Sequence, residues 1–183
     1  MNFILAFILL IPVISFSQKI NGLPIPQKAK DILLNVMKEA GVAEVTVTST
    51  TRTPAEQTAI MYNYIKTYGV ANTKRLYGPE GDSVTDVYVR EENAGKNETE
   101  IKKAMLQELE KQLPSAIANN RLMHVSRDNR FIVFDISISK LKPLSMLKKI
   151  QEVAVKMENK GIIFRFLGTD SGEQNALHFE IEK

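Results

Sequence analysis

The stretch FIVFDISI, residues 131–138, alternates around a single charge. In an extended chain successive side chains point to opposite faces. Phe131, Val133 and Asp135 therefore share one face, and Ile132, Phe134 and Ile136 share the other. This pattern predicts a strand. A carboxylate on an otherwise apolar face is costly unless it is paired or binds a metal, so Asp135 needs a partner.

The C-terminal stretch ALHFEIE, residues 176–182, offers one. Its alternation sets His178 and Glu180 against Leu177, Phe179 and Ile181, again the signature of a strand. If the two strands are neighbours, Asp135 and His178 meet on one sheet face.

Outward from these strands the pattern mixes helices with a few more strands. PQKAKDILLNVMKEAG places Ile32, Leu33, Val36 and Met37 at helical spacing, with Gly41 as the stop. AEVTVTST alternates as a half-buried strand, with Val45 and Val47 on one face and Thr46 and Thr48 on the other. In TRTPAEQ, Thr53 stands at an N-cap, Pro54 at the first helical position, and Glu56 three residues after the cap, a capping-box pattern. GPEGDSVTDVYVREENAG and NETEIKKAMLQELEKQL read as two further helices, the second with Ile101, Met105, Leu109 and Leu113 inward. A helix over PLSMLKKIQEVAVKMENKG and a strand over IIFRFLG precede the last strand. The expected fold is α+β: a single domain over 18–183, with a small antiparallel sheet covered by helices.

Composition narrows the function classes. The 183 residues suffice for one domain with a sizeable core, and 44% hydrophobic with 25% charged residues is an ordinary globular balance. The net charge of +3 is spread without a dense Lys/Arg block, so no nucleic-acid partner is expected. With no cysteine, disulfides and thiolate ligands are excluded. The opening MNFILAFILLIPVISFSQ is uncharged and apolar for about fifteen residues, shorter than the roughly 20 that span a bilayer. It reads as a signal peptide over 1–17, cut near Ser17 and Gln18, although the usual positive start is missing. Export without disulfides suits a bacterial periplasm or secretion, with no membrane attachment after cleavage. The domain is expected to act as a monomer.

The only histidines are His124 and His178. With Asp135 they supply two nitrogens and one oxygen, and two histidines plus a carboxylate with an open fourth position is a recognised catalytic zinc set. The plainer alternatives are a solvated strand histidine and an aspartate paired with arginine. A purely structural domain would hold Asp135 and His178 more than about 5 Å apart, too far to share an ion with ligand distances near 2 Å.

Four stretches together, TSTTRTPAEQ, HVS, VFDIS and LHFEI, resemble the zinc D-Ala-D-Ala carboxypeptidase family, which shares its fold with hedgehog domains and several phage endolysins. The resemblance spans roughly residues 45–181. It implies Zn2+ held by His124, Asp135 and His178, and Arg52 binding the peptide or carboxylate of a cell-wall substrate. It also implies a carboxylate that activates water for attack on an amide bond. HVSRDNRFIVFDIS further resembles a subgroup of exported bacterial proteins, and RTPAEQ…IMY and LYGPEGDSVTDVY resemble stretches of the same subgroup.

Two departures stand against the family pattern. His124 and Asp135 are eleven apart where the family has seven, which leaves either His124 after an insertion or Asp128 as first ligand; His124 is the reading adopted. The position of the family's catalytic base, three before the last histidine, is Asn175, and an amide cannot accept that proton. Glu173, Asp170 and Glu180 are the carboxylates that could replace it, with Glu173 assigned here. If none serves, the protein is an inactive relative that binds cell-wall peptide or a protein partner.

Overall fold

The structure, a computed structural model of the chain, describes residues 17–119, 121–122, 124–125, 130–171 and 175–183. All but the last residue of the expected signal peptide lies outside them. Among the described residues no helix is long and apolar enough to cross a membrane.

The fold is a single α+β domain with a five-stranded sheet ordered β1-β2-β3-β5-β4. Its strands are β1 (Lys19–Gly22), β2 (Glu44–Thr50), β3 (Phe131–Ser137), β4 (Arg165–Leu167) and β5 (Ala176–Glu182). The helices are α1 (Gln27–Ala40), α2 (Pro54–Tyr68), α3 (Val70–Asn93), α4 (Glu98–Ala118) and α5 (Leu147–Asn159).

The expected antiparallel sheet is in fact mixed. β1 runs parallel to β2, while β2–β3, β3–β5 and β4–β5 are antiparallel. A parallel pair needs a crossover, and α1 supplies it. The four residues of β1 are too few and too polar to show an alternation, and the sequence reading assigned no strand to them. Gly22 ends β1 against β2 so closely that a Cβ there would lie 2.1 Å from the Val47 carbonyl oxygen.

The β3–β5 register pairs Phe134 with Phe179, Asp135 with His178, and Ile136 with Leu177. One face of the sheet, carrying Ile132, Phe134, Ile136, Leu177, Phe179 and Ile181, is packed under α1 and α5 in a single apolar cluster. The Phe134 and Phe179 rings stack with centroids 5.1 Å apart. Helices α2, α3 and α4 form a second cluster of their own around Met61, Val84, Ile101, Met105 and Leu109. The predicted inward residues of α4 are buried there, with Leu113 partly so.

Local signals placed the helix starts well. Thr53 caps α2 with the full capping box to Glu56, and Asn97 does the same for α4 with Glu100. Helix α3 begins earlier than the sequence reading puts it, at Val70, and breaks at Gly78. Gly78 has φ 67° and ψ −173°, a conformation that side chains disfavour, and Pro79 restarts the helix. The predicted helix start at GPEGD survives as this break. The strand expected over IIFRFLG shortens to Arg165–Leu167.

Candidate metal centre

Four side chains converge on the sheet face away from α1 and α5. Asp135 on β3 sits directly across from His178 on β5, and on its other side across from Ser49 on β2. Simple alternation along β2 would put Ser49 on the same face as Val45 and Val47, in the core. A register shift between Val47 and Ser49 changes this: Val47 stays opposite Ile136, while Ser49 comes opposite Asp135. Such a bulge re-aims one side chain without moving the rest of the strand.

His124 arrives from the segment after α4. Its carbonyl accepts a 2.6 Å hydrogen bond from the Arg52 backbone N–H, and Val125 bridges to Arg52 in parallel. This clamps His124 to the β2–α2 turn. Its Nδ1 lies 3.2 Å from the Thr50 carbonyl and 3.2 Å from Ser49 Oγ. A proton on Nδ1 donates to that carbonyl and leaves the Nε2 lone pair facing Asp135 Oδ2, 2.9 Å away.

His178, only 2% exposed, is held from both sides. Its Nδ1 lies 2.8 Å from Asp135 Oδ1 and its Nε2 3.3 Å from Glu180 Oε1. Glu180 is fully buried, and Arg165 Nη1 stands 3.8 Å from the same carboxylate oxygen. An N–H on Nε2 donates to Glu180 and directs the Nδ1 lone pair toward Asp135, the carboxylate–histidine arrangement that orients metal ligands. The two imidazoles meet edge to face, 5.1 Å between centroids.

One nitrogen of each histidine thus faces an oxygen of the Asp135 carboxylate, and a proton or a metal ion must lie between them. Protons give imidazolium–carboxylate pairs. Burial opposes the charged form of His178, but its hydrogen bonds to Asp135 and Glu180 overcome this and push its pKa up to about 9. Burial likewise opposes ionisation of Asp135, and the two histidines hold it below the usual carboxylate range. A cation serves the same geometry: the three residues each offer one ligand atom, all within 4.8 Å of one another. His124, Asp135 and His178 could therefore hold a metal ion. The wide separation that a purely structural domain would show is not found.

The centre lies in the wall of a cavity of about 640 Å³ between the sheet and the helices α2 and α3. Arg52 lines it too, donating from Nη1 to Gln57 Oε1 at 2.9 Å and from Nη2 to Ser49 Oγ. The sequence reading of Arg52 as a site residue thus places it beside the cluster.

The other candidates separate. Glu173 and Asp128 lie outside the described residues. Glu180 is buried behind His178 and is not among the residues lining the cavity, so it positions the His178 ring without facing the cavity. Asp170 is exposed on a short 3-10 turn and does not line the cavity either. Asn175 is exposed, and its carbonyl accepts from the Ile138 backbone N–H at 3.1 Å. Sequence reasoning missed Ser49, Arg75, Tyr77 and Arg121 as parts of the site. Only the bulge exposes the role of Ser49, and the other three come from segments with no chemical motif. Comparison with protein-family models, curated proteins and solved structures returned no match for this chain.

Proposed function

We propose that the chain is an exported zinc-dependent peptidase of the D-Ala-D-Ala carboxypeptidase type that acts on the peptide stems of the bacterial cell wall. The observation that carries this reading is the convergence of His124, Asp135 and His178 within 4.8 Å, beside Arg52, at one cavity. Two histidines and a carboxylate, each histidine oriented by a second hydrogen bond, are a donor set suited to catalytic zinc. Zinc bound there supplies a Lewis acid that acidifies water and polarises an amide carbonyl.

The remaining work falls to the chain's own residues. Arg52 carries five N–H donors, more than its bonds to Gln57 and Ser49 use, and holds the substrate carboxylate or the oxyanion that develops on the carbonyl. Ser49 and Thr50 fix the His124 ring, and Glu180 fixes that of His178. Glu173, on the segment just before β5, moves the proton from water to the leaving amine.

One observation favours a second reading, a relative that binds cell-wall peptide without cutting it. Asn175 occupies the expected base position, and among the described residues that line the cavity Asp135 is the sole carboxylate.

Metal analysis of the purified protein, followed by chromatographic assay of peptide-stem cleavage with and without a chelator, tests both. The expected result is one zinc per chain, cleavage that the chelator stops, and loss of zinc in His178→Ala. Wild-type protein that takes up no zinc overturns the first reading. Zinc without cleavage selects the second.

A further inference from the structure

The cavity has a second wall, and its charge is not explained by the metal-ligand cluster. Among the described residues that line the cavity, three arginines, Arg52, Arg75 and Arg121, stand against one carboxylate, Asp135. Arg52 stands at the sheet. Arg75 and Arg121 belong to the helical side: Arg75 lies in the first half of α3 and Arg121 just after α4.

Arg121 is anchored rather than loose. Its Nη1 donates to Glu80 Oε2 at 3.0 Å. The Glu80 side chain is only 5% exposed, and its other oxygen accepts from Ser115 Oγ and Asn119 Nδ2, both at 3.0 Å. The Arg121 hydrogen bond holds the Glu80 carboxyl down at about 2 against the opposing effect of burial, so the pair stays ionised. The Arg121 side chain itself remains 44% exposed. One edge of its guanidinium is tied down, while donors remain for something else. Gly78, at the break in α3, leaves room beside it: a Cβ there would sit 3.7 Å from Arg121 Cδ. Arg75 donates to Asn72 Oδ1, a neutral acceptor, so that bond leaves its charge in place.

We propose that Arg121 and Arg75 form an anionic subsite that takes a carboxylate of the substrate peptide remote from the bond presented to the metal-ligand cluster. This rests on the reading of the cavity as a peptide site. A planar guanidinium matches a carboxylate bidentately, which suits a side-chain or α-carboxylate. The same cavity is lined by Ile60, Tyr64, Leu76, Tyr77 and Leu122. Apolar and tyrosine surface of that kind fits the aliphatic body of a peptide, with an acid group at its far side.

Calorimetric binding to the zinc-supplemented protein tests the subsite without needing turnover. The probes are N-acetyl peptides ending in D-Ala-D-Ala, with glutamate placed in turn at the third, fourth and fifth position from the C-terminus, each against its glutamine twin. Wild type is expected to prefer at least one glutamate peptide by about tenfold. Arg121→Gln and Arg75→Gln each reduce that preference, and the double variant abolishes it, with zinc content unchanged. Arg75 is exposed and outside the Glu80 pair, so its variant keeps the test valid if Arg121→Gln unfolds. Equal binding of every pair by wild type, no binding of any peptide, or a preference that survives Arg75→Gln and the folded double variant overturns the subsite. A protein that holds zinc and cleaves but shows no preference loses only the subsite. A glutamate preference that depends on Arg75 in a protein without zinc loses only the peptidase reading.

Discussion

The two walls of the cavity both bury a carboxylate against cations, yet they do it with different chemistry. On the sheet wall Asp135 and Glu180 are paired with histidines, whose positive charge is a proton that a metal can replace. On the helical wall Glu80 is paired with Arg121, which keeps its proton at any ordinary pH. The first cluster could hold either a proton or a metal ion, and the second holds a fixed charge at a fixed place. Glu180 and Glu80 are both almost fully buried, so it is the residue type of the partner that sets the character of each wall.

Substitutions that break the contrast rank by expected effect. Asp135→Asn removes the carboxylate both histidines share, and zinc affinity measured by competition with a chelating dye should fall by more than about a hundredfold. Glu180→Gln keeps the shape but weakens the hold on His178 Nε2. A ten- to hundredfold loss of zinc affinity is expected, with the unfolding midpoint in urea little changed in the metal-free protein. A larger loss of fold stability than of zinc affinity would count against an orienting role.

Glu80→Gln should do the reverse, costing about 2 kcal/mol of stability in urea denaturation while zinc affinity stays at the wild-type value. Its pH signature follows from the lowered carboxyl. The Glu80 pair contributes its full stability above the ordinary carboxyl value of 4.5 and loses it as pH falls toward about 2. Wild type should therefore lose stability over that window more steeply than Glu80→Gln, and parallel curves would contradict the assignment. Least costly is Thr53→Ala, which removes the cap of α2 at the turn that carries Arg52. About 1 kcal/mol of stability should be lost, with zinc affinity unchanged by titration.

Much of the sheet wall was legible from residue order. The alternation in 131–138 and 176–182 already put Asp135, His178 and Glu180 on the faces where the structure has them, because side-chain direction in a strand is a local, period-two property. His124 was reached as one of only two histidines and through a resemblance, since no periodic pattern places it. The role of Ser49 was hidden, because alternation sends it to the core and only pairing with β3 creates the bulge that turns it out.

The helical wall was legible in its elements and not in its charges. The Thr53 capping box and the inward positions of α4 are local patterns and appear as expected, and the Asn97 box, equally local, was not read. Glu80, Ser115, Asn119 and Arg121 look like ordinary surface polar residues until α3 and α4 pack together.

By itself, then, the sequence determined most of the helices and strands, and the face that most strand residues take, since these follow from periodicity and caps within a few residues. Only the tertiary structure decided the parallel β1, the outward turn of Ser49, the approach of His124 to Asp135, and the arginines opposite them. Each of these depends on contacts between residues distant in the chain, whose register no local pattern specifies.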